Sequence, residues 1–97
     1  MEKKFHISFS MNTPLGFETY GTFDLGSGSE QAAMIFKQLK GTKELAEKSI
    51  LHMDFTEVGD GLPIPIEMLH CTLDDIAYNS RVITRELFKK NLEAMKI

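Results

Sequence analysis

Two stretches of this chain, KKFHISFSM (3–11) and ILHMDFTEV (50–58), alternate apolar and polar residues. Successive side chains of an extended backbone point to opposite faces, so such alternation specifies a strand with one apolar and one polar side. Phe5, Ile7, Phe9 and Met11 share one face of the first stretch, against Lys4, His6, Ser8 and Ser10. In the second, Leu51, Met53 and Phe55 oppose His52, Asp54 and Thr56. A sheet that is apolar on one side requires a covering layer. Two stretches whose apolar residues recur at helical spacing supply that cover.

The remaining segments fit between these. NTPLG (12–16) has turn chemistry, with Gly16 able to take a positive φ. FETYGTFDL (17–25) is a second strand with looser alternation, placing Phe17, Thr19, Gly21, Phe23 and Leu25 on one face and Glu18, Tyr20, Thr22 and Asp24 on the other. Gly21 there marks a bulge or a close packing point. In GSGSEQAAMIFKQLKG (26–41), Ser27 and Glu30 have capping-box spacing, with Ser29 as a competing N-cap. Ala32, Ile35, Phe36 and Leu39 form the apolar stripe. Lys37 and Lys40 suit a helix C-terminus and Gly41 the left-handed position after it. TKELAEKS (42–49) reads as a short helical turn.

After the GDGLP turn, IPIEMLHC (64–71) is a fourth strand, with Ile64, Ile66, Met68 and His70 on one face. Pro63 and Pro65 cannot donate ladder hydrogen bonds, so this strand is expected to begin ragged or to lie at an edge. The last segment is helical. Thr72 and Asp75 form a cap, and Asp74 and Asp75 complement the positive end of the dipole. At ~100° per residue, Leu73, Ile76, Ala77, Ile83, Leu87, Phe88, Leu92, Ala94 and Met95 fall on one half. Val82 falls on the wet half, and Thr84 and Asn91 on the apolar one. The stripe keeps its phase across Tyr78–Ser80, so one continuous helix is expected.

The predicted fold is therefore α+β, in ββαββα order: a two-layer sandwich with a four-stranded antiparallel sheet and two helices on one face. Phe5, Ile7, Phe36, Phe55, Ile83 and Leu87 are expected in its core. Ninety-seven residues, 42% of them apolar, suffice for a single domain over 1–97. The halves 1–41 and 49–97 echo one another as ββα units, with too little identity to establish a repeat. The net charge of −3 argues against nucleic acid. No Lys or Arg lies between Lys48 and Arg81, a span that holds Asp54, Glu57, Asp60, Glu67, Asp74 and Asp75. MEKKFHISFS lacks the apolar core of a signal peptide, and no apolar run is long enough for a membrane span. With Cys71 as the lone cysteine, a reducing cytoplasm is the expected compartment.

The polar sheet face holds the candidate site residues, His6, Tyr20, His52 and Asp54. His52 and Asp54 lie ~7 Å apart on one strand face, a workable spacing for two metal ligands. A zinc site needs three or four, with His6 as a third if the first and third strands adjoin, and His70, whose strand companions are Ile64, Ile66 and Met68, the poorer candidate. A solvated or partner-contacting sheet face is the favoured reading, with no metal and no cofactor. Cys71 beside His70 has the residue types of a thiol and its base. Neighbours on a strand diverge, however, so a buried structural cysteine is favoured. LGSGSE (25–30) lacks the Walker A and dinucleotide patterns, and DGLPIP lacks calcium-loop spacing. RNA-reading platforms share this outline but stack bases on exposed aromatics, whereas the aromatics of the first strand are expected in the core. The expected function is that of a small non-catalytic binding or assembly module. Its partner would be a protein or a second copy in a homodimer, without nucleic acid or membrane. The alternative is a small-ligand or metal-binding protein using the polar face around His6, His52 and Asp54.

Overall fold

The computed structural model describes residues 3–43, 50–59 and 61–95. The elements are β1 (Lys4–Thr13), β2 (Gly16–Gly26), α1 (Ser29–Lys37), β3 (Leu51–Val58), β4 (Ile64–Cys71) and α2 (Leu73–Met95). The strands form one antiparallel sheet in the order β2-β1-β3-β4, so the first strand of each hairpin lies inside and β2 and β4 form the edges. The ββαββα sandwich expected from the alternation is the observed fold.

Ile7 pairs with Phe55, and Phe9 with Met53. Both pairs point to the helix side, where Phe36 of α1 stacks on Phe55 at 4.9 Å between ring centroids. Phe5, Ile7, Phe36, Phe55 and Ile83 are buried, and Leu87 packs half-buried against them. α1 starts beside the end of β2 and lies over β3 and β4, with Leu39 next to Leu69. α2 starts at the end of β4 and runs back toward β2, where Lys90 Nζ donates to the Leu25 carbonyl at 3.1 Å.

Local chemistry explains most boundaries. Thr13 Oγ1 donates to the Gly16 carbonyl at 2.7 Å across the first hairpin turn, and Gly16 takes φ +113°. Thr72 and Asp75 form the expected reciprocal cap, each backbone N–H donating to the other's side chain at 3.1 Å. The cap expected for α1 does not form: Gly28 is its N-cap, and no side chain bonds there. α1 also ends at Lys37, before Gly41. Instead Thr42 pairs with His70 as a lone bridge on the outer edge of β4. Of the segment read as a helical turn, residues 44–49 lie outside the described residues.

α2 is continuous through Asn79 and Ser80. Asn79 does not break it, because its side chain turns inward with no solvent exposure. Asn79 Oδ1 accepts the Lys40 N–H at 2.7 Å, and Nδ2 donates to the Lys40 carbonyl at 2.8 Å. This one amide ties α2 to the connector after α1. The buried face of α2 lies about a quarter-turn from the expected phase. Val82 is buried, while Leu73, Phe88 and Leu92 are 74%, 63% and 51% exposed.

Candidate functional site

Pairing registers lay the uncovered sheet face out in rows. One row runs Thr19, Ser10, His52, His70, and the next Thr22, Ser8, Asp54, Met68. A third brings Asp24 and His6 beside Thr56. Hydroxyls pair across strands at 3.1 Å, Ser10 with Thr19 and Ser8 with Thr22.

His6, His52 and Asp54 lie on this face as expected, yet the three do not converge. His6 sits two rows from His52, roughly 13 Å along the sheet at the strand rise. Its nearest acid is Asp24, with Nε2 and Oδ1 3.9 Å apart. No group of three or more His, Cys, Asp or Glu suited to a metal occurs among the described residues. Tyr20 leaves the set. A bulge separates the Phe9–Gly21 and Ser10–Thr19 pairs, so the strand loses its parity at Tyr20. The ring lines a helix-side groove with Phe9, Met11, Leu51, Leu73 and Ile76. Its hydroxyl donates to Glu18 Oε2 at 3.2 Å, and that bond holds the phenol above its ordinary pKa.

His52 is 5% exposed although no helix among the described residues covers this face. The ring of Phe17 stands edge-on to it at 4.8 Å, and His70 flanks it at 6.5 Å. Nδ1 lies 3.2 Å from Asp54 Oδ2, an ion pair when the ring is protonated. Neither ring nitrogen of His52 makes an aligned hydrogen bond, nor does His70 Nδ1. Ser10, His52 and Asp54 are the residue types of a hydrolytic triad on adjoining positions. Such a triad needs the imidazole hydrogen-bonded to the hydroxyl. Here Ser10 Oγ is engaged by Thr19 and His52 Nε2 is unbonded, so the arrangement cannot activate Ser10 as it stands.

Cys71 points into the core with its Sγ 3.6 Å from the Lys40 and Leu69 carbonyls. Burial, aided by the Asp75 charge, pushes the thiol up to about 11. His70 faces the other side of the sheet, as adjacent strand residues must.

Sequence reasoning ranked His70 below His6 as a companion of His52, whereas the register sets His70 directly opposite it, and it missed Phe17 as a neighbour. It also missed the outer surface of α2, where Ser80, Arg81, Thr84, Arg85, Phe88 and Lys89 line a shallow apolar groove. The amphipathic wheel carried that signal in its breadth, because its apolar arc is wider than one sheet contact uses. No helix among the described residues is long and apolar enough to cross a membrane. Compared with protein-family models, with curated proteins and with solved structures, the chain has no match.

Proposed function

We propose that this domain is a non-catalytic assembly module, working by association with another protein chain, its own copy included. The observation that carries this reading is the second apolar side of α2. Leu73, Phe88 and Leu92 stay exposed after the sheet has taken Ile76, Ile83 and Leu87. Phe88 and Leu92 lie about one turn apart, and grouped exposed apolar side chains mark interaction sites more often than scattered ones do. The acid–base groups of the open face are engaged elsewhere or sealed, which supports a binding role over a chemical one. Among the described residues Phe17 is the one exposed large aromatic on that face, which also carries Asp24 and Asp54, a poor platform for phosphate and bases. A buried, unpaired Cys71 suits a reducing cytoplasm.

Light scattering of the full chain with and without EDTA, joined to a calorimetric zinc titration, tests the reading. A mass above the monomer that ignores EDTA, with no zinc heat, is expected. A tight one-to-one zinc isotherm that vanishes in His52→Ala would overturn it in favour of the metal-binding alternative.

A further inference from the structure

The two edges of the sheet are protected differently. The outer side of β4 carries Pro65 and is bridged by Thr42, whose N–H donates to the His70 carbonyl at 2.9 Å and whose carbonyl accepts the His70 N–H at 2.8 Å. β2 has neither device. It runs eleven residues without Pro, Lys or Arg, broken only by bulges at Tyr20 and Leu25, and among the described residues no other strand pairs with its outer side. Long bare edges are pairing sites unless guarded.

A second feature lies on the same side of the molecule. Gln38 of α1 bonds Glu86, Lys40 sits over the Tyr78 ring, and Val82 is buried. That flank of α2 therefore faces α1, which covers β3 and β4. The opposite flank, turned toward the β2 edge, carries Leu73, Ala77, Ser80, Thr84 and Asn91. These residues are uncharged, mostly small, and largely exposed.

The geometry points to a second copy of this chain as the occupant of that side, resting on the assembly reading above. A two-fold axis near Thr22 and Thr84 would join the two β2 strands into an eight-stranded sheet and lay the two α2 flanks together over the seam. Both layers are self-complementary, as a two-fold contact requires. The charge pattern permits it. A strand pair centred on Thr22 sets Glu18 opposite Gly26 and Asp24 opposite Tyr20, so no like charges face each other directly. Arg81, Arg85 and Lys89 border that flank in the outer groove they share with Ser80 and Thr84, and Lys90 is held by the Leu25 carbonyl near the end of β2. The area is also adequate. A strand of this length at ~3.4 Å per residue, on a molecule whose smallest extent is 20 Å, offers roughly 700 Å² per copy. Stable pairs bury ~800 Å² per partner.

Thr84→Arg tests this by placing a cation opposite itself at the axis, at an exposed helical site that accepts Arg. Ala77→Arg repeats the test, and Leu62→Arg, in the β3–β4 turn, is the control. Folding of each is checked by circular dichroism. By light scattering the wild type and Leu62→Arg are expected to be dimers, and both flank variants to dissociate at least about a hundredfold more readily. Hydrogen exchange of β2 amides in the wild type is expected to slow as concentration rises, with β4 unchanged. A dimer that survives both flank variants, or β2 exchange indifferent to concentration, overturns this interface and leaves the assembly reading standing. A wild-type monomer at every concentration overturns the second copy as occupant. The assembly reading itself falls only on the zinc titration.

Discussion

Replacing Asn79 by Ala isolates the tie between α2 and the α1–β3 connector. The side chain is fully buried and makes two short hydrogen bonds to the backbone of Lys40, at 2.7 and 2.8 Å. Each such bond contributes ~1 kcal/mol net, and a donor or acceptor left buried without a partner costs ~1–3 kcal/mol more. Lys40 lies partly at the surface, so water recovers some of that second cost. The expected loss is about 3 kcal/mol by these magnitudes, seen as a fall in melting temperature of roughly 10–20 °C for a domain of this size. Asn79→Asp separates hydrogen bonding from packing. The new carboxylate keeps an acceptor for the Lys40 N–H but sets a second oxygen against the Lys40 carbonyl. Burial raises its folded pKa above the unfolded ~3.9, so the folded state holds the proton more tightly. The deficit is then absent below pH ~4 and grows as pH rises toward the folded pKa. Asn79→Asp should thus approach wild-type stability in acid and lose it at neutral pH, while the Asn79→Ala deficit stays nearly flat. Chemical denaturation at both pH values reads this directly. A loss under ~0.5 kcal/mol for Asn79→Ala, the size of an ordinary surface change, would refute the reasoning.

Three further outcomes are expected. Cys71 should react slowly with a thiol reagent in the folded state, because its pKa near 11 leaves little thiolate at neutral pH. A folded pKa raised above the ordinary value near 9 contributes stability below pH 9 that is lost between 9 and 11, which an alkaline denaturation series would detect. Ile83→Ala should cost ~2–5 kcal/mol and Phe88→Ala less than ~0.5 kcal/mol, since Ile83 is fully buried and Phe88 is 63% exposed; equal losses in urea titrations would mean the helix phase is wrong. Thr72→Ala should cost ~1 kcal/mol by removing the hydroxyl that accepts the Asp75 N–H, with increased exchange confined to the first turn of α2.

The strands were legible because alternation is a local property of the backbone. Phe5, Ile7 and Phe55 could be placed in the core without knowing their neighbours. The phase of α2 was not legible, because its apolar arc spans more than one contact surface. A wheel cannot tell which part of a wide arc meets the sheet, and Asn79, polar yet fully buried, falls outside the arc the wheel counted. The face of Tyr20 was lost for a related reason: one bulged residue reverses parity. His52 and Asp54 were correctly placed on the open face. The burial of His52 was not foreseen, because it depends on Phe17 reaching across from β2, a contact between residues far apart in sequence. His6 failed as a third ligand because adjoining strands do not imply adjoining rows, and row assignment requires the register.

The pairing of β1 with β3 at the centre of the sheet also shapes how the chain must fold. Each hairpin closes over a short turn and can form within microseconds. The central zipper is different, since Ile7 and Phe55 are separated by a loop on the order of fifty residues, whose closure costs about 3 kcal/mol in chain entropy before any contact repays it. The meeting of the two halves is therefore expected to be the slow event, with Ile7→Val or Phe55→Leu felt at that step. A chain cut within the α1–β3 connector would give two fragments, each a hairpin whose inner strand presents bare backbone and an apolar face. Neither fragment has the other's strand to close its sheet. Recovery of the fold would become a bimolecular reaction, its rate set by fragment concentration.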